Sequence, residues 1–259
     1  MKPLELLDAR AIDTLLFDID ETLTTEGKLT AAAYSALERL KRAGKRVVPV
    51  TGRPAGWCDH IARMWPVDAV VGENGAFYFG MFDGKLLKRF QDDAATRQRN
   101  RERLQAIGVS IVAAVPGCAL ASDQGYRETD LAIDYCEDAK PLPLESAERI
   151  AALMKDAGLT AKVSSIHVNG WFGDYDKLAM TRTLLAERFG VDPDRDNRRI
   201  AFAGDSPNDQ PMFAHFENSV GVANIRRFES SLEHQPKYLT RGASGQGFAE
   251  LADHLLGRR

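Results

Sequence analysis

Leu15-Leu16-Phe17-Asp18-Ile19-Asp20-Glu21-Thr22-Leu23-Thr24 sets two aspartates two residues apart at the end of a short apolar run. Side chains alternate faces along a strand, so residues i and i+2 project together. An apolar run closed by a polar turn reads as a buried parallel strand. In open α/β sheets, ligands gather beyond the carboxyl ends of such strands. Two carboxylates crowded there repel each other unless a divalent cation, a shared proton or both relieve them. Asp18 and Asp20 are therefore the first candidate site residues.

Outward from this stretch, strand and helix patterns alternate. Strand-like residues 14–19, 46–50 and 69–72 are separated by helical patterns at 30–43 and 55–64, which implies right-handed crossovers and a parallel sheet. A hairpin is expected around Asp83-Gly84. The pattern then changes to helix (92–107), strands (119–123 and 130–135), a second helix (144–157) and short strands (161–168 and 171–172), an antiparallel α+β unit. From Asp176 the alternation resumes, with helices at 177–189, from Pro211 and from Phe248, and strands at 199–203 and 220–223. The expected fold class is α/β: a Rossmann-like doubly wound parallel sheet formed by residues 1–85 and 171–259, interrupted by an inserted α+β domain at 86–170.

Composition narrows the function. A chain of 259 residues with 44% apolar and 27% charged content has the profile of a globular protein with a sizeable core. A formal net charge of -3 provides no basic field for nucleic acid and no polybasic membrane signal. The arginines of 97–103 spread around a helix and are diluted by Asp92, Asp93 and Glu102, which reads as a solvated face. No apolar run is long enough to span a bilayer, and Lys2-Pro3-Leu4-Glu5 does not read as a secretory leader. Cys58, Cys118 and Cys136 form no close ligand pair, so reduced thiols and a cytoplasmic location are expected.

Three more segments fall at expected strand or helix ends. Thr51-Gly52-Arg53-Pro54 offers a hydroxyl and a bare glycine amide ahead of a proline, either an anion site or a simple capped turn. Asp176 suits an N-cap, whereas Lys177 in the first turn opposes the helix dipole; it is either a solvated lysine or a functional one. Gly204-Asp205-Ser206-Pro207-Asn208-Asp209 carries acids at i and i+4, fitting either a hard-cation site or an Asx-rich turn.

Taken together and in order, Asp-x-Asp-x-Thr, Thr-Gly-Arg, Lys and Gly-Asp-x-x-x-Asp resemble the haloacid dehalogenase superfamily of phosphohydrolases. Asn74-Gly75-Ala76, the insert after the second motif, Val220-Gly221-Val222-Ala223-Asn224 and Gly245-Gln246-Gly247-Phe248 resemble its class IIB. That class carries an α/β cap and includes Cof-type phosphatases, sugar phosphatases acting on sucrose, trehalose and mannosylglycerate phosphates, and eukaryotic phosphomannomutases. Glu21 departs from the pattern, since most relatives carry Gly there. The resemblance implies Asp18 as nucleophile and Asp20 as acid, then base. It implies a magnesium ion held by Asp18, the Asp20 carbonyl and Asp205, with Asp209 in support. Thr51, Gly52 and Lys177 would hold the phosphoryl group, and Asn208 would hold Lys177 or a phosphate oxygen.

Substrate contacts are less constrained. Arg53, Asn74, Arg127 and His167 are candidates, with Asn169 beside them, and each also has an ordinary structural reading. Trp57, Trp65 and Trp171 are expected to be packing groups. The expected partner is a small phosphorylated metabolite, foremost a sugar phosphate, with neither nucleic acid nor membrane; the oligomeric state is open. The rival readings are a phosphomutase of the same aspartyl-phosphate chemistry and a non-catalytic phospho-acceptor module.

Overall fold

In the computed structural model, which describes residues 1–258, the main sheet is parallel throughout. Its strand order is Lys2–Pro3, Tyr238–Leu239, Asn218–Gly221, Ile200–Gly204, Thr14–Phe17 and Arg46–Pro49. Thr14–Phe17 is buried on both faces, as a strand covered by two helical layers must be. One layer packs Phe17, Leu37, Leu40, Phe248 and Leu251 on one face of the sheet, and the other packs Leu16, Val48, Met180, Leu184 and Phe202 on the opposite face. A parallel bridge from Val50 to Val71 leads into an antiparallel sheet of Val70–Gly72, Phe77–Phe82 and Lys85–Phe90. The expected hairpin turn is present, with Asp83 and Gly84 both at positive φ (51° and 74°), which matches the twist of the flanking strands.

The inserted unit forms its own layer. Ala119–Leu120, Asp130–Asp134, His167–Trp171 and Thr160–Val163 make an antiparallel sheet backed by the helices Ala94–Ala114 and Leu144–Asp156. Its limits differ from the expected 86–170. Lys85–Phe90 stays paired with Phe77–Phe82, and the inserted sheet runs through Trp171, which pairs with Asp130 and Thr160.

Three local readings are corrected. The helix expected to end at 107 continues to Ala114, because Gly108 lies inside it; a Cβ there would sit 2.8 Å from Leu120 and Leu131, so the glycine permits close packing on the sheet. The strand expected over 161–168 is two strands, Thr160–Val163 and His167–Trp171. They are divided by a turn in which Ser164 Oγ accepts the His167 N–H at 3.0 Å. The last helix starts at Ser244 instead of Phe248. No helix among the described residues is long and apolar enough to cross a membrane.

Candidate active site

Parallel neighbours end on the same edge, and that edge gathers the acids. Asp18 follows Thr14–Phe17, and its N–H donates to the Ala203 carbonyl at 2.9 Å. Asp205 follows Ile200–Gly204, and Thr51 lies two residues beyond Arg46–Pro49. Lys177 opens the helix Lys177–Phe189, whose N-cap Asp176 accepts the Ala179 N–H at 2.8 Å. Gly75, at φ +107°, packs against that helix start; a Cβ there would lie 2.0 Å from the Asp176 carbonyl oxygen. This contact aims Lys177 inward, where its ammonium donates to Asp18 Oδ1 at 2.8 Å and Asp209 Oδ1 at 2.7 Å. Asp209 Oδ2 in turn accepts the N–H groups of Asp205 and Ser206, at 3.1 and 3.3 Å.

The acids outnumber the cation. Burial pushes the Asp18 carboxyl up to about 7, Asp209 and Asp20 adding to the rise and Lys177 opposing it. Asp205 is pushed well above the carboxylate range by burial and by Asp18 and Asp209. Burial alone would lower Lys177, but Asp18 and Asp209 hold it raised. Asp205 Oδ2 accepts from Asn224 Nδ2 (2.9 Å) and Arg227 Nη2 (3.2 Å), whereas Asp205 Oδ1 is buried without a hydrogen-bond partner. Ligand atoms of Asp18, Asp205 and Asp209 lie within 4.8 Å of one another. Hard oxygens, surplus negative charge and an orphaned acceptor together fit a hard divalent cation such as magnesium.

Above this cluster the insert closes the site. Asp18, Asp20, Gly52 and Asn208 on one side, with Ser164, His167 and Asn169 from the insert, line a cavity of about 10 Å³. Arg53 forms one wall. Its Nε donates to both Asp20 oxygens at 2.9 and 3.0 Å, its Nη2 donates to Glu137 Oε1 at 2.6 Å, and its Nη1 lies 3.4 Å from Asp123. Burial would lower the Arg53 guanidinium, but Asp20 and Glu137 hold it raised. The Arg53 guanidinium also sits 4.4 Å over the ring of Trp57, which is half-exposed and packs on that guanidinium at the rim of the site. Trp171 is fully buried.

Several expected residues sit otherwise than the sequence suggested. Arg127 does not reach the cavity. Its Nε and Nη2 donate to Asp123 at 3.0 and 3.2 Å, and its Nη1 donates to Asp130 at 3.0 and 3.1 Å and to the Gly52 carbonyl at 2.9 Å. With its side chain 1% exposed, these contacts commit Arg127 to tying Asp123, Asp130 and Gly52 together. Asn208 does not hold Lys177; its Oδ1 accepts from Ser206 Oγ at 2.8 Å and its Nδ2 donates to Asn74 Oδ1 at 3.3 Å. Asn74 lies against Gly52 with its Nδ2 buried and unpartnered. Thr51 is buried, and its Oγ1 accepts the Arg53 N–H at 3.1 Å. Glu21, at φ +54°, adopts the left-handed conformation that glycine tolerates best, which accounts physically for the glycine of the family pattern.

Glu137, Arg227 and Glu73, which the sequence did not single out, approach the site across long separations, as does Asp123, which lies in the polar stretch 122–130 that suits sugar hydroxyls or a second anion. Glu73 is wholly buried and accepts N–H groups of Ala55 (2.8 Å), Glu128 (2.9 Å) and Thr129 (2.6 Å), tying the insert to the core. No local pattern marks these roles; only Asn224 lay in a segment already noted for its resemblance.

Residues 15–98 match the haloacid dehalogenase-like hydrolase family. The chain is 26% identical to a phosphoglycolate phosphatase of Methanothrix thermoacetophila, over 94% of this chain and 97% of that protein. It is 28% identical to one of Pyrobaculum neutrophilum, over 93% and 95%. The structure of a Synechocystis sucrose-phosphatase superposes with a TM-score of 0.62 at 16% identity, covering 95% of this chain and 98% of that one. Likeness at that identity establishes a shared fold.

Proposed function

We propose that the chain is a magnesium-dependent phosphatase of the haloacid dehalogenase superfamily, acting on a small phosphorylated metabolite through an aspartyl-phosphate. The observation that carries this reading is the meeting of Asp18, Lys177, Asp205 and Asp209, drawn from distant parts of the chain, around the orphaned Asp205 oxygen.

In this reading Asp18 attacks phosphorus in line with the leaving oxygen, and a carboxylate–phosphorus bond forms as the ester bond breaks. Asp20 donates a proton to the departing alkoxide and then takes one from the water that hydrolyses the acyl phosphate. Asp20 is held for that exchange by Arg53, which fixes the carboxyl plane through paired contacts. Lys177, Thr51 and the Gly52 amide surround the phosphoryl oxygens, and Asn208 with Asn74 lines their far side. Asp18, Asp205 and the Asp20 carbonyl would hold magnesium, with Asp209 bracing Lys177 and the Asp205 loop; the ion supplies charge neutralisation for the transferring group. The insert, from the helix Ala94–Ala114 through the strand His167–Trp171, acts as a cap whose floor, at Ser164, His167 and Asn169, meets the leaving group.

The cavity of about 10 Å³ has room for about one water, so a phosphate ester of any size enters only once the insert withdraws. A small leaving group draws on the likeness to the phosphoglycolate phosphatases, and the alternative, a sugar phosphate, on the polar lining of the cavity and the sucrose-phosphatase fold. Release of inorganic phosphate from 2-phosphoglycolate, hexose phosphates and disaccharide phosphates, with magnesium and with chelator, tests the reading. Isomer formation without phosphate release would instead make the protein a phosphomutase. Undiminished phosphate release by Asp18→Asn would remove the proposed nucleophile.

A further inference from the structure

We propose that Glu21 is a positioning residue for the bound cation, acting through Ser244 and Asn224 on the Asp205 carboxylate and through its own peptide on the Asp20 carbonyl. The inference rests on the reading of those two groups as magnesium ligands.

The backbone marks Glu21 first. It sits at φ +54° and Ser244 at φ +49°, both in the left-handed region. Glycine adopts that region freely, whereas a side chain there is strained. Strain of this kind gathers where surrounding contacts hold a functional group in place. The two strained residues, 223 positions apart, are partners: Ser244 Oγ donates to Glu21 Oε2 at 3.1 Å. The other carboxylate oxygen, Glu21 Oε1, accepts the Gly27 N–H at 3.1 Å.

From this pair the contacts run to the acid cluster. The Ser244 N–H donates to Asn224 Oδ1 at 2.8 Å. An amide whose oxygen is taken in this way must turn its NH2 group to the opposite side. There Asn224 Nδ2 donates to Asp205 Oδ2 and to the Glu21 carbonyl, both at 2.9 Å. The reversed amide would set its oxygen against the Asp205 carboxylate, acceptor facing acceptor. Arg227 Nη2 also reaches Asp205 Oδ2, at 3.2 Å. With Oδ2 committed, Oδ1 is left as the buried oxygen without a partner, free to take a cation.

The second arm is shorter. The Glu21 N–H donates to Thr24 Oγ1 at 3.1 Å, and Thr24 Oγ1 donates to the Ile19 carbonyl at 3.1 Å. The Asp20 carbonyl belongs to the same planar peptide as that N–H, so holding one sets the direction of the other. One residue thus fixes two groups that would hold the ion. Partners that orient a metal's ligands in this way are worth about 10–100-fold in affinity.

The test measures magnesium affinity by calorimetry on chelator-treated protein, with no substrate present. Glu21→Gly removes the side chain and suits the backbone, so it should fold yet bind magnesium about tenfold more weakly. Ser244→Ala should show part of that loss. The double variant should lose less than the two single losses combined, because the contacts lie in series. Glu26→Gly is the control. Glu26 is also left-handed, at φ +50°, but it is exposed and joins none of these contacts, so this variant should bind magnesium as the wild type does. Unchanged affinity in Glu21→Gly, strictly additive losses, or an equal loss in Glu26→Gly would each overturn the proposal. The underlying reading fails separately, if the wild type itself takes up no magnesium.

Discussion

Lys177 and Arg127 are both buried cations set among aspartates, yet their surroundings differ in kind. Around Arg127, every contact closes within the protein: Asp123, Asp130 and the Gly52 carbonyl accept from it, and Asp130 Oδ2 also accepts from Asn169 Nδ2 at 2.8 Å. Around Lys177, Asp18 and Asp209 share one ammonium while Asp205 Oδ1 stays unpaired, and burial lifts both Asp18 and Asp205. A satisfied buried ion network specifies structure. A buried network left short of positive charge is poised for something that binds, because the uncompensated acids are costly until it does.

The first way to break this contrast is Asp18→Asn, which should lower phosphate release by about four orders of magnitude or more while leaving the melting temperature close to wild type or above it. Activity and a thermal melt on the same preparation check both halves. The converse variant is Arg127→Met. It strands Asp123 and Asp130 without their cation, and should cost about 3–5 kcal/mol of stability in denaturant titrations. If Arg127→Met keeps its stability, Arg127 is not a structural tie and the contrast dissolves.

The two clusters were not equally legible in the sequence. Asp18, Asp20, Thr51 and Asp205 could be placed because each follows a short apolar strand, and parallel strands deliver their ends to one edge. Lys177 stood out because a lysine at a helix start opposes the dipole. Arg127 was read as a candidate substrate contact because an exposed loop arginine and a buried, fully paired one look alike in sequence. What decides between them are Gly52, 75 positions earlier, and the burial of Asp123 and Asp130. Glu137 and Arg53 meet across 84 positions, and Glu73 and Thr129 across 56. Such pairings depend on how the insert docks, which no local periodicity encodes. The helix running past 107 and the turn at Ser164 were missed for a related reason: Gly108 and Ser164 act through tertiary packing and side-chain bonding, not through propensity.

Glu73 sharpens the comparison through pH. Burial, reinforced by Asp130 and opposed by Arg127, pushes its carboxyl up to about 7. A carboxyl raised on folding binds its proton more tightly in the native state, so its contribution to stability is full below the ordinary value of 4.5 and is lost as pH rises toward 7. The loss is about 3 kcal/mol over that window. Unfolding free energies measured between pH 4.5 and 7 should therefore be flatter for Glu73→Gln than for the wild type. Parallel slopes in the two proteins would show that Glu73 does not titrate within this window.

Magnesium should separate the clusters with the smallest of these effects and opposite signs in a single variant. Ligand binding to the native state alone stabilises by about 2.7 kcal/mol at a hundredfold excess over the dissociation constant, so magnesium should raise the wild-type melting temperature by several degrees. Asp205→Asn removes a buried carboxylate with an unpaired oxygen, so without magnesium it should melt above the wild type, and adding the ion should no longer move it. Arg127→Met, destabilised at the other cluster, should keep the full magnesium shift, because none of its contacts reaches Asp18, Asp205 or Asp209. If Asp205→Asn still responds to magnesium as the wild type does, the ion binds elsewhere and the surplus acidity around Lys177 has some other purpose.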